Sequence, residues 1–203
     1  RTVGSIDDNL GRLLEYLDES GLAENTVVIY SSDQGFFLGE HGWYDKRWMY
    51  EESLRMPFIV RWPGTVRPGT ENRDLVQNLD FAQTFLELAA ADAPPEMQGR
   101  SIVPLLRGET PADWRRSIYY HYYEYPAEHM VPRHYGVRTA THKLIHYYQT
   151  GEWELFDLQR DADELRSVHD DPAYTGVRAE LERELARLRA AYRVPEVDPE
   201  PSR

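Results

Sequence analysis

Asn25-Thr-Val-Val-Ile-Tyr-Ser-Ser-Asp-Gln-Gly35 is the stretch on which the fold turns. Its centre is a short, continuous apolar run rich in β-branched residues, which suits a buried strand covered on both faces, as in parallel sheets. Asp33 and Gln34 then leave the carboxyl end of that strand, where open α/β sheets place their ligands. Upstream, Ile6, Leu10, Leu13, Leu14 and Leu17 recur at spacings of three and four, predicting a helix with one apolar stripe that ends near Gly21. Downstream, Pro57-Phe-Ile-Val-Arg-Trp62 is a second such strand, stopped by the turn signal Pro63-Gly64. Leu75-Val-Gln-Asn-Leu79 follows as a brief strand or edge. Asp80 is placed to cap a helix to about Ala90, with Phe81, Phe85, Leu86 and Leu88 on its buried side. Helix, strand, strand, helix in this order implies part of an open α/β sheet.

The character of the chain changes after residue 92. Ala93-Pro-Pro-Glu-Met-Gln-Gly-Arg-Ser101 and Arg107-Gly-Glu-Thr-Pro111 are connecting segments around the apolar Ile102-Val-Pro-Leu-Leu106. Three strand-like stretches follow: Ser117 to Tyr123, Tyr135 to Tyr148 with an interruption near Thr141, and Trp153 to Leu158. Their aromatic content and the tight connection at Gly151 favour an antiparallel arrangement. A last helix, about Tyr174 to Tyr192, carries Val177, Leu181, Leu185, Leu188 and Ala191 on one stripe. The expected organisation is an α/β part over residues 1–110, a small α+β subdomain over 111–193, and a loose acidic, proline-bearing tail over 194–203.

The 203 residues hold 23 Lys plus Arg against 35 Asp plus Glu, a formal charge of −12 that argues against a nucleic-acid partner. Hydrophobic residues at 41 % suffice for a core. Cysteine is absent, which excludes a disulfide, a Cys-ligated zinc or a thiol nucleophile within these residues and leaves the compartment open. No apolar run approaches the roughly 20 residues of a bilayer-crossing helix, so no membrane partner is expected. The chain starts without Met and runs at once into a helical pattern, as an element of a longer protein would, with any targeting segment outside it.

The chemistry concentrates in Ser32-Asp-Gln-Gly-Phe-Phe-Leu-Gly-Glu-His-Gly-Trp-Tyr-Asp-Lys-Arg47. A carboxylate beside a carboxamide supplies two hard oxygen donors, suited to Ca²⁺ or Mg²⁺. Asp33 and Gln34 are therefore candidate metal ligands, too few by themselves, and a plain strand-ending turn is the alternative. Lys46 offers a compact charge for a tetraoxo anion and for a leaving oxygen; otherwise it is an ordinary exposed lysine. Arg47 is able to grip the same anion or to pair with Glu51 or Glu52. His41 is either a substrate contact or a ring that holds the loop through backbone hydrogen bonds. Among the histidines near the tyrosine-rich strands, His134 is the candidate substrate contact, bracketed by Pro132 and Gly136 in a loop-like setting.

Read as an ordered series, Ser32-Asp33-Gln34-Gly35, Gly39-Glu40-His41-Gly42, Asp45-Lys46-Arg47, Tyr50-Glu51-Glu52-Ser53, Pro57, Leu75-Val-Gln-Asn-Leu-Asp80, Gly99-Arg-Ser-Ile-Val-Pro-Leu-Leu106, Lys143-Leu-Ile145 and Glu154-Leu-Phe-Asp-Leu158 resembles the carboxyl-terminal half of formylglycine-dependent sulfatases of the alkaline phosphatase superfamily. Gln after Asp, with Asp-Lys-Arg downstream, is most similar to N-acetylglucosamine-6-sulfatase-like members. The resemblance implies the end of an alkaline-phosphatase-like sheet domain followed by the small subdomain. It implies a divalent cation, most often Ca²⁺, on Asp33 and Gln34, and a catalytic Lys46 that contacts sulfate and helps stabilise the departing oxygen. It makes a sulfated carbohydrate or other sulfate ester the partner, with Arg47, His41 and His134 as further contacts. It also suggests a periplasmic or extracellular setting.

The family's nucleophile is a formylglycine made from the first residue of Cys or Ser, any residue, Pro, any residue, Arg, and no such motif occurs among the 203 residues. The expectation is a sulfatase fragment, inactive alone, whose nucleophile and remaining metal ligands belong to an amino-terminal portion of the same protein. Two alternatives stand beside it: a phosphodiesterase or phosphonate hydrolase of the same superfamily, and a non-catalytic module binding acidic glycans through its tyrosine-rich strands.

Overall fold

The computed structural model describes residues 2–196 and 198. Helix α1 (Thr2–Glu19) opens the chain, and strand β1 (Val28–Ser31) follows, leading into the long loop that carries Asp33 to Arg47. Helix α2 (Glu51–Leu54) and strand β2 (Phe58–Arg61) come next, then α3 (Leu79–Leu88) and α4 (Val103–Leu106). The remainder is β3 (Ser117–Tyr122), β4 (His134–Thr139), β5 (His142–Tyr147), β6 (Glu152–Asp157) and α5 (Thr175–Ala191).

Strand β1 departs from the expected doubly covered, parallel environment. It pairs antiparallel with β2, Val28 opposite Arg61 and Ser31 opposite Phe58, and all four of its residues are only half-buried. An apolar run records that a strand has apolar neighbours on both faces but not their direction, and among the described residues β2 is its one pairing partner. The stretch expected as a brief strand, Leu75 to Leu79, forms no strand; Trp114 and Arg115 donate side-chain hydrogen bonds to the Leu75 carbonyl instead.

Helix α3 is also differently built. Asp80 sits inside its first turn rather than capping it, fully buried, where it accepts the backbone N–H groups of Gln77 (2.7 Å) and Arg100 (2.8 Å) and both ends of the Arg115 guanidinium. The helix is thus anchored by polar groups, Asp80 and Thr84, and Phe85, expected to be buried, stays half-exposed. The apolar Ile102 to Leu106, between the two connecting segments, contains α4 and packs with Trp114 in a small core.

The four-stranded sheet follows expectation. Its order is β3-β4-β5-β6, every neighbour antiparallel, with Val137 opposite Leu144 and Leu144 opposite Leu155. Strand alternation gives it two apolar faces. Val137, Leu144 and Leu155 point to α5 and meet Leu181, Leu185 and Leu188. Ile145, Tyr147 and Phe156 point the other way and meet Phe37, Met49 and Tyr50 of the long loop. A glycine is required at the centre of that second face, because a Cβ at Gly136 would come within 2.6 Å of the Met49 sulfur and 2.3 Å of the Leu144 carbonyl. Of the tail expected to be loose, Asp198 is tied by its carboxylate to Arg133 (3.0 Å) and to the Tyr148 hydroxyl; residues 197 and 199–203 lie outside those described.

Candidate functional site

The loop from Ser32 to Tyr50 is shaped by three contacts. The Gly35 N–H donates to the Ser53 carbonyl at 2.8 Å, and a Cβ at residue 35 would stand 1.9 Å from the Glu52 carbonyl oxygen, so that only glycine lets the loop pass α2. The Phe37 N–H donates to the Asp45 carbonyl at 2.8 Å while its ring is buried against the sheet, closing the loop on itself. Between them Gly39, His41 and Gly42 all have positive φ (128°, 55° and 74°), which turns the chain back.

This closure brings Asp33, Gln34 and Lys46 together. The Asp33 carboxylate stands at the end of β1 with its side chain 82 % exposed, and the Lys46 ammonium, 41 % exposed, lies 3.9 Å from it. Gln34 turns inward: its amide nitrogen donates to the Lys46 carbonyl and to the Ser53 hydroxyl (3.2 Å). Beside them Asp45 accepts the N–H groups of Lys46 and Arg47 at 2.6 Å each. Burial would raise the Asp45 carboxyl, but those two N–H groups and the Arg47 guanidinium outweigh it and hold the group below its usual range.

The other candidates are placed differently from their sequence readings. Arg47 pairs with Asp45 (2.9 Å), not with Glu51 or Glu52, and its carbonyl accepts the Tyr120 hydroxyl at 2.8 Å. His41 holds the loop by ring packing rather than by backbone hydrogen bonds, 4.6 Å from Tyr50 and 5.5 Å from Trp43 between centroids, with Nε2 3.6 Å from Glu52. His134 is the first residue of β4 and fully buried, its Nδ1 2.7 Å from the Pro132 carbonyl and its ring stacked near Trp48, Tyr120 and Tyr122. Burial pushes it down to about 4, so the ring is neutral at pH 7 and supports an aromatic wall instead of presenting an imidazole to solvent.

Two features escaped the sequence reading. Ser53 touches both Gln34 and Lys46, and a single serine carries no signal that could have found it. Lys143 is fully buried in β5 and lies 3.0 Å from Glu51 and 2.6 Å from Glu164, while Arg138 also grips Glu51. Glu164 accepts the Glu51 N–H at 2.7 Å. Burial would raise Glu51, but Lys143 and Arg138 hold it low, whereas for Glu164 burial wins and the carboxyl is pushed up. This cluster clamps the start of α2 to the sheet, a role visible only once β5 is placed over α2.

Asp33 and Gln34 fit a hard cation by donor chemistry: an exposed carboxylate, and an amide whose nitrogen is occupied and whose oxygen meets no donor among the described residues. They form only part of a site, since among the described residues no group of three or more His, Cys, Asp or Glu is placed to hold a metal ion.

Residues 39–191 match the family described as N-sulphoglucosamine sulphohydrolase, C-terminal. The chain belongs to the sulfatases. Over 195 residues, 95 % of its length, this sulfatase chain is 49 % identical to an N-acetylglucosamine-6-O-sulfatase of Bacteroides thetaiotaomicron and spans 35 % of that relative. The solved structure of BT4656 in complex with its substrate D-glucosamine-2-N,6-O-disulfate superposes with a TM-score of 0.94 at 47 % identity, over 98 % of this chain and 41 % of that one. A phosphonate monoester hydrolase from Silicibacter pomeroyi superposes at 0.81 with 27 % identity, over 92 % and 39 %. The sulfatase chain thus covers well under half the length of these relatives. No described helix is long and apolar enough to cross a membrane.

Proposed function

We propose that the protein hydrolyses sulfate esters on amino sugars, with a glucosamine 6-O-sulfate as the reacting group. The disulfated glucosamine bound as substrate in the superposed BT4656 structure and the 6-O-sulfatase relative support this choice of sugar. The observation that carries the reading is that one loop closure sets the Lys46 ammonium 3.9 Å from the Asp33 carboxylate and bonds the Gln34 amide nitrogen to the Lys46 backbone carbonyl. Residues 1–110 serve as the last part of the α/β catalytic domain and 111–193 as the small subdomain that backs its loop.

In this reading Asp33 and Gln34 hold a divalent cation, Ca²⁺ by the hardness of their oxygens, together with ligands from outside the 203 residues. The cation, when bound, polarises sulfate oxygens, and a formylglycine outside these residues supplies the nucleophile. Lys46 binds the sulfate and offsets the negative charge that builds on the leaving sugar oxygen, an electrostatic contribution strongest where water is excluded. Arg47 and Asp45 orient the Lys46 backbone. His41 and the Trp43–Trp48 stack, 4.4 Å between centroids, give the loop a rigid rear wall.

The test is turnover of an aryl sulfate and of glucosamine 6-sulfate. The 203-residue chain alone is expected to be inactive, and the complete enzyme active and dependent on a divalent cation. Turnover by the isolated chain, or a complete enzyme that prefers phosphonate or phosphate esters, overturns the reading.

A further inference from the structure

Ser53 lies on α2, outside the set of residues just given roles, yet it touches two of them. The residue is 2 % exposed. Its hydroxyl donates to the Lys46 carbonyl at 2.6 Å and accepts from the Gln34 amide nitrogen at 3.2 Å. A hydroxyl has one proton, and a carbonyl has none. With the Ser53 proton on the Lys46 carbonyl, both groups face Gln34 as acceptors, and both face the same end of its carboxamide. That end must be the nitrogen. The oxygen is then forced to the opposite end, where no donor among the described residues meets it.

We propose that Ser53 is a positioning residue: with the Lys46 carbonyl it locks the Gln34 carboxamide so that the amide offers oxygen, never nitrogen, to the cation shared with Asp33. The proposal rests on the metal reading above and deepens it. A carboxamide left free to flip would spend part of its time presenting N–H groups, which repel a cation. The same hydroxyl also ties the orientation of Gln34 to the backbone of Lys46, so cation ligand and anion-binding lysine move as one unit. Glu51, at the start of α2, is clamped by Lys143 and Arg138, which keeps Ser53 in place from the sheet side.

The lock makes one prediction opposite in sign to simple charge counting. Gln34→Glu adds a negative charge, which by Coulomb attraction alone tightens cation binding. In the locked geometry its second oxygen faces the Lys46 carbonyl with no proton between them, and binding weakens.

Calcium titration calorimetry on the complete enzyme, with Ca²⁺ as the only added ligand, tests this in three variants whose thermal midpoints are also recorded without metal. Ser53→Ala is expected to weaken calcium binding about tenfold, the worth of one such hydrogen bond. Gln34→Glu is expected to weaken it as well, and Asp33→Ala to weaken it further. Calcium affinity within twofold of the parent in Ser53→Ala, or tighter binding in Gln34→Glu, overturns the lock while loss in Asp33→Ala leaves the metal reading standing. Unchanged affinity in Asp33→Ala overturns the metal reading and the lock together. If Ser53→Ala does not fold, the sign of the Gln34→Glu effect decides alone.

Discussion

Helices α1 and α5 are close to the same length, 18 and 17 residues, and both carry an apolar stripe at spacings of three and four. Their fates differ. Leu181, Leu185 and Leu188 of α5 are all buried against the sheet. On α1 only Leu17 is buried, and Ile6 and Leu13 remain 45 % and 49 % exposed. The same contrast runs through the strands, since β1 is half-buried and β2 leaves Ile59 exposed while the centre of the four-stranded sheet is closed on both faces. An amphipathic pattern states that a helix has an apolar side; it does not say what covers it. The candidate site sits at the joint between these two regions, on a loop that leaves the open region at Asp33 and packs on the closed one at Phe37, Met49 and Tyr50.

The largest expected effect comes from breaking that joint. Lys143→Ala leaves Glu164 as a buried carboxylate without a cation and Glu51 with Arg138 alone, and is expected to cost about 3–5 kcal/mol in urea unfolding; a cost under 1 kcal/mol would show that the clamp does not hold the regions together. Lys46→Ala, on the exposed side of the same joint, is expected to lower turnover of a sulfate ester by the complete enzyme about 10²–10³-fold and to leave the thermal midpoint unmoved. The stripes themselves are compared by Leu185→Ala, expected to cost about 2–5 kcal/mol, and Leu13→Ala in the 203-residue chain, expected to cost about 0.5 kcal/mol or less. Equal costs would mean that α1 is packed more tightly than its exposure implies.

The pH dependence sharpens the picture of the closed region. His134 and His121 are both pushed down to about 4, chiefly by burial. A histidine held low contributes stability that is complete above its unfolded value near 6.5 and is lost as pH falls toward 4. For His134 the loss between pH 7 and pH 5 is about 2 kcal/mol. His134→Phe should therefore show a smaller drop in unfolding free energy over that interval than the parent, by about that amount, and an equal drop in both would place the ring in contact with water.

Much of the fold is legible in the sequence. The four antiparallel strands around Gly151 and the last helix fall where alternation and three–four spacing put them. Asp80 shows where such reading stops: a carboxylate ahead of an apolar run looks like a cap, but its true partners, Arg100 and Arg115, are 20 and 35 residues away. His134 shows the same limit: its residue type permits an anion contact, but the ring lies in an aromatic cage built with Trp48, Tyr120 and Tyr122, far from it along the chain. Arg47 is paired with a neighbour only two residues away, Asp45.

Composition and local spacing were sufficient for what depends on nearest neighbours along the chain: the sheet of 117–157, the apolar stripe of each long helix, and the ordered series of short motifs that places the chain among the sulfatases. Tertiary structure alone decided what depends on encounters across the chain. It paired β1 with β2 in antiparallel register, buried Lys143 between Glu51 and Glu164, and turned the Gln34 amide by setting two proton-poor oxygens against it. The reason is physical: periodicity is written by the geometry of one element, whereas the direction of a hydrogen bond or the neutralisation of a buried charge is fixed only by the second group that folding brings within 3 Å or so.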